Sequence, residues 1–190
     1  MREEPAQIAD TLRDAQRGGR GAFALLVEFH QNMVYSLLVH MLGEEAVAEE
    51  IAQDVFLELH KNLNSMESPV HLARWLRMVA SRRGIDEVRR RRFRAPQGIE
   101  DLPEPRIEPE VEDVLLSARL RRLLERLPAK HRAIVVLRYQ EDLDPGEIAV
   151  LLEMPVATVK STLHRALGML RRACERAGLG SQEFTHREAV

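Results

Sequence analysis

DPGEIAVLLEMPVATVKSTLHRALGMLRR, running from Asp144 to Arg172, reads as two helices separated by a short turn. Asp144 is a suitable N-cap, Pro145 takes the first helical position, and Glu147 falls at the reciprocal third position of a capping box. Ile148, Ala149, Leu151 and Leu152 give this helix one apolar side, and Pro155 ends it by disfavouring helical geometry at Met154. From Val156 onward, Val159, Leu163, Ala166, Leu167 and Leu170 recur at steps of four, three, one and three, which is one face of a helix. The opposite face carries Ser161, His164, Arg165 and Gly168, flanked by Lys160. Donors and small residues on an exposed face suit a major groove, where Arg reads guanine and Ser or Thr bonds a base or a phosphate. The same pattern describes an amphipathic surface helix, so these residues alone leave both readings open.

The rest of the chain narrows the choice. Lys plus Arg number 28 and Asp plus Glu 30 in 190 residues, a length that suits one domain or two small ones. The near-neutral total conceals opposed blocks. From Arg74 to Arg94 there are nine Arg against Asp86 and Glu87, whereas Glu44 to Glu58 holds six acids and no Lys or Arg. A basic block suits a polyanion and an acidic one a basic protein surface, although either is also what a solvated face looks like. No apolar run approaches a membrane span and the N-terminus lacks a signal peptide's apolar segment, so a cytoplasmic protein is expected. Cys174 is the single cysteine, which rules out an internal disulfide and a Cys-based zinc site within one chain.

In chain order, residues 1–18 read as a mobile leader or a short fraying helix. Phe23, Leu25, Leu26, Phe29, Met33, Val34, Leu37, Leu38 and Met41 then run at helical spacing to a stop at Gly43. Glu44 to Asn62 turns Val47, Ile51, Ala52, Val55, Phe56 and Leu59 inward. Asn64 to Pro69 is a loop opening the next helix, with Leu72, Trp75, Leu76, Val79 and Ala80 on its core face. There Arg82, Arg83 and Gly84 interrupt the stripe, and the helix is expected to bend or leave the core. Residues 96–113 bring Pro96, Pro103, Pro105 and Pro109 beside seven acids, which reads as a linker. A second domain follows over 114–176, opening with Leu116, Leu120, Leu123, Leu124 and Leu127. Pro128 starts another helix through Leu137, and a disordered tail is expected after Arg176. With no strand pattern, the expected fold is all-α: two small helical domains, 20–95 and 114–176, joined by a flexible acidic arm.

With these motifs in order, the chain resembles a bacterial RNA polymerase sigma factor of the sigma-70 family, extracytoplasmic-function type, from about Ala22 to Arg172. Ala48-Glu49-Glu50-Ile51-Ala52-Gln53-Asp54-Val55-Phe56 resembles the helix that docks on the clamp helices of the polymerase largest subunit. Trp75-Leu76 with Ile85-Asp86-Glu87-Val88-Arg89-Arg90 resembles the promoter-melting segment. Leu127-Pro128 with Arg132, Glu147-Ile148-Ala149, Thr158-Val159-Lys160-Ser161 and Arg165-Ala166 resemble the helix-turn-helix that reads the minus-thirty-five element.

The resemblance implies a dissociable promoter-specificity subunit that binds core RNA polymerase and promoter DNA, commonly held inactive by an anti-sigma protein. It implies polymerase contacts at Glu49, Gln53 and Asp54, and minus-thirty-five contacts at Thr158, Lys160, Ser161, His164 and Arg165. Minus-ten contacts are implied at Arg74, Arg77, Arg82, Arg83, Arg89 and Arg90, with the loop from Asn62 to Val70 as the rim receiving an unstacked base. Arg82, where many relatives carry Asn, Ala157, where Gly is usual, and Thr162, where Arg is common, are expected to shift base preference. The alternatives are a stand-alone helix-turn-helix regulator, marked by a symmetric operator, and a protein-binding helical adaptor. The seven His show no His-Glu-x-x-His spacing, so no enzyme, cofactor, metal or small-molecule substrate is expected.

Overall fold

A computed structural model describes residues 4–19, 21–94 and 121–176, and these are helices with short connections. In order they are α1 (Glu4–Gln16), α2 (Ala22–Leu42), α3 (Glu45–Asn62), a 3-10 turn (Leu63–Ser65) and α4 (Pro69–Arg94). A helical turn at 121–125, α5, is followed by α6 (Ala129–Tyr139), α7 (Pro145–Leu151) and α8 (Val156–Arg176). The proposed linker at 96–113, the start of the second half at 114–120 and the tail beyond Arg176 lie outside the described residues.

Local chemistry sets the ends. Gly43 closes α2 at φ +76°, its N–H donating to Val39 O at 2.8 Å, a left-handed cap that costs Gly little. Asp144 Oδ1 accepts from Gly146 N (2.6 Å) and Glu147 N (2.9 Å), while Glu147 Oε2 accepts from Asp144 N (2.8 Å), completing the capping box. The turn between α7 and α8 passes through Glu153 at φ +52°.

The core is centred on α2, which packs against α1, α3, α4 and α6. By length and composition α2 is apolar enough to cross a membrane, a test that the core helix of a helical bundle also passes. Here Leu26, Val34, Leu37, Leu38 and Met41 are fully buried against the neighbouring helices. One buried cluster runs from these side chains through Leu72 and Leu76 of α4 into Ala133, Ile134 and Leu137 of α6 and Ile148 of α7. The two halves therefore share apolar surface. Leu123, Leu124, Val135, Ala166 and Cys174 fill smaller clusters under α8, and burial, then the Glu175 carboxylate, pushes the Cys174 thiol up.

Two expectations change. Residues 4–16 form a helix with Leu12 and Ala15 buried. And α4 continues through the Arg-rich interruption with its inner face intact, because Gly84, Ile85 and Val88 take over from Ala80 as buried positions. Gly84 sits where α2 comes close: a Cβ there would lie 2.9 Å from Met41 Cε. Its cost in helix propensity is offset by contact. Trp75, placed in the core by spacing, is half-buried at the edge of the cluster.

Candidate nucleic-acid interface

Thr158, Lys160, Ser161, His164 and Arg165 are all exposed along α8, while Val159, Thr162 and Ala166 are buried beneath them. The seven helical steps from Thr158 to Arg165 advance about 10 Å, within the roughly 12 Å width of a major groove. Ser161 Oγ donates to Thr158 O at 3.1 Å. Lys160, His164 and Arg165 form no ion pair among the described residues. Behind them His131 is half-buried, and its imidazole is held below the usual histidine range by burial and then by the Arg165 guanidinium. Thr162 points inward, so its difference from the resembled pattern falls on packing against the core.

The first half is arranged differently. Of the six Arg expected to meet the minus-ten region, Arg74 alone has no ion pair among the described residues. Arg77 Nε donates to Glu141 Oε2 at 2.8 Å, with the Glu141 side chain 7% exposed. Arg82 pairs with Glu153 at 2.6 Å. Arg83 meets Asp54 at 3.1 Å and Glu58 at 2.6 Å, so an expected DNA contact is bonded to an expected polymerase contact. Arg89 is 3.7 Å from Asp86, and Arg90 pairs with Glu87. Burial pushes the Glu87 carboxyl up, but hydrogen bonds from Arg91 and Arg90 outweigh it and leave the net shift downward.

Glu49, Gln53 and Asp54 project together from the exposed side of α3, joined there by Leu57, a large apolar side chain left 61% exposed. Spacing placed the polar row; it gave no reason to single out Leu57, which follows at the next turn of the same face.

Arg132 holds the halves in register. Its guanidinium is buried, donating from Nη1 to Met41 O at 2.6 Å and from Nη2 to Glu125 O. It thus sits at the carboxyl ends of α2 and α5, where a cation is favoured by the exposed carbonyls. Gln140 Nε2 adds a hydrogen bond to Ser36 Oγ at 2.5 Å. His30 is buried near Arg77, and burial, then that guanidinium, lowers its basicity. Sequence pattern singled out Arg132 through resemblance but gave no signal for Gln140, Glu141 or Glu153.

The chain matches the family model for sigma-70 region 2 over residues 26–94 and that for sigma-70 region 4 over residues 117–170. It is 30% identical over 158 residues to the ECF RNA polymerase sigma factor SigL of Mycobacterium tuberculosis, covering 81% of this chain and 89% of that one. The chain belongs to the ECF sigma factors. This sigma factor is also 29% identical over 178 residues to SigW of Bacillus subtilis, covering 87% of the chain and 95% of the relative. In fold it is similar to CnrH, solved in complex with the cytosolic domain of CnrY: TM-score 0.62, 21% identity, 87% of this chain and 96% of that one. It is likewise similar to RpoE of Bartonella quintana, solved with the anti-sigma factor NepR: TM-score 0.61, 16% identity, 82% and 98%.

Proposed function

We propose that this sigma factor docks on core RNA polymerase through Glu49, Gln53 and Asp54. In the same reading it meets the minus-thirty-five element with Thr158, Lys160, Ser161, His164 and Arg165, and opens the minus-ten region with Arg74, Arg77, Arg82, Arg83, Arg89 and Arg90. The observation that carries the reading is the exposed polar row on α8, held over a buried apolar face and free of ion pairs among the described residues, beside a first half in which five of the six expected DNA-contacting Arg are already in ion pairs. Such a protein supplies specificity to the polymerase and has no reaction of its own; its place of action is the cytoplasm, with the polymerase.

A working cycle in which the two halves separate is supported by size. The two promoter elements are about 25 positions apart by name, roughly 85 Å of duplex at 3.4 Å per base pair. A compact chain of 190 residues has a radius of gyration of only about 16 Å. With α6 and α7 against α4, one molecule does not reach both elements, so the halves must part on the polymerase. The 18 residues of 96–113 span at most about 60 Å when extended, enough to supply most of that separation between domains 20–95 and 114–176. Opening also exchanges Glu141 and Glu153 for phosphates on Arg77 and Arg82. An anti-sigma protein that favours the packed arrangement would hold the factor inactive.

The test is transcription from a promoter library by core polymerase with and without the protein. Start sites that depend on it, sharing elements at both positions, are expected; if no start site depends on it, the reading fails. Binding to a symmetric operator by the protein alone would favour a stand-alone regulator instead.

A further inference from the structure

The amino-terminal helix α1 lies before the matched region, which begins at residue 26, and the function proposed above leaves it without a task. Leu12 and Ala15 anchor it in the core. Its last residue, Gln16, is half-buried and reaches the connection between α3 and α4: Nε2 donates to Leu63 O at 3.0 Å and to Met66 O at 2.8 Å. Both amide hydrogens are used. Two carbonyls face the amide, so only its nitrogen end satisfies them.

These carbonyls bracket the 3-10 turn. Met66 N also donates to Leu63 O at 3.1 Å, and Leu63 and Met66 turn their side chains into the core. Asn64, Ser65 and Glu67 are consequently left pointing to solvent. Past the turn, Ser68 Oγ accepts from His71 N at 3.1 Å and so caps the start of α4, where Val70 is 79% exposed. A backbone fixed at both ends presents its outward side chains in one arrangement, which is what reading a single unstacked base requires.

We propose that Gln16 is a positioning residue for this turn, and that α1 thereby sets how sharply the sigma factor discriminates bases in the minus-ten element. The proposal rests on the reading that the loop from Asn62 to Val70 receives an unstacked base. Gln16 touches no DNA. Its contribution is to keep the carbonyls of Leu63 and Met66 occupied and turned away from the bound strand.

The experiment uses full-length protein with core polymerase on promoters carrying each base at every minus-ten position, and compares Gln16→Leu, Gln16→Lys and Asn64→Ala with the parent. Gln16→Leu keeps the bulk without donors and should reduce the base preference ratio at the loop-read position by about tenfold, the scale of a lost pair of partly buried hydrogen bonds. Core affinity and minus-thirty-five preference should be unchanged. Gln16→Lys, with ammonium donors on a longer stem, should restore most of the ratio. If Gln16→Leu does not fold, Gln16→Asn, which withdraws the amide by one methylene, should lower the ratio instead. An unchanged ratio in the folded variant overturns the proposal, as does a loss spread equally over core affinity and minus-thirty-five preference. Asn64→Ala separates the two layers. If it alters the ratio while Gln16→Leu does not, the loop reading stands and the role of Gln16 falls; if neither alters it, both fall.

Discussion

The cations of α4 and those of α8, proposed above to serve the same chemistry, stand in opposite states. On α8, Lys160, His164 and Arg165 stand exposed over a packed inner face with no ion pair among the described residues. On α4, five of the six expected DNA contacts are bonded to carboxylates, two of them, Glu141 and Glu153, contributed by the other half of the chain. Free charge suits a surface that meets intact duplex first, since phosphate attraction steers encounter. Occupied charge suits a surface needed only after docking, because each pair must be exchanged for a phosphate before it contributes. The exchange is cheap for solvent-exposed pairs, which are worth about 0 to 1 kcal/mol. It costs more at Arg77, whose partner is nearly buried.

The largest expected effect therefore lies at Glu141. Glu141→Ala should weaken the packing of the two halves by about 2 to 3 kcal/mol, below the 3 to 5 of a fully buried pair because Arg77 is partly in water. Thermal unfolding and the radius of gyration from solution scattering read this, and an unchanged radius with an unchanged melting temperature would erase the contrast between the helices. Arg165→Ala comes next, costing about 1 to 3 kcal/mol of minus-thirty-five discrimination if the guanidinium makes a bidentate base contact. A competition assay with altered minus-thirty-five sequences measures it; unchanged sequence preference would remove Arg165 from the readout. Asp54→Arg should lower core-polymerase affinity roughly tenfold, about 1.4 kcal/mol, with helicity retained, since it also breaks the exposed pair with Arg83. Normal affinity in a pull-down titration would count against the docking face. Glu153→Gln should be smallest, within about 0.5 kcal/mol of the parent in stability, because both side chains of its pair are well exposed. A large destabilisation there would mean that the two ion pairs between the halves are equivalent after all.

Much of this was legible in the residues. Asp144, Pro145 and Glu147 specified a capped helix start, Gly43 a left-handed stop, and the apolar spacing on α3 and α8 separated inner from outer faces. These are local signals, carried within two turns of helix. What escaped were partners distant in the chain. Periodicity assigned Arg77 to a basic surface but had no means of supplying Glu141, 64 residues on. Gly84 read as a helix weakness because its compensation is a Met41 side chain from another helix. Residues 4–16 looked like a mobile leader or a fraying helix, since their polar character hides the contribution of Leu12, Ala15 and Gln16. Thr162, weighed as a contact that had changed identity, proved to face the core. The residues chosen for DNA and polymerase contact remain choices of chemistry, now with known exposure and known intramolecular partners.

The separation between Arg77 and Glu141 also has a meaning in time. A ribosome adds about 5 to 20 residues per second, so the 64 residues between them take about 3 to 13 seconds to synthesise. Throughout that interval the nascent first half carries Arg77 and Arg82 without the carboxylates that later cover them. Every new molecule thus passes through several seconds with Arg77 and Arg82 bare of these two carboxylates, and the packed arrangement is a condition the chain enters only near the end of translation.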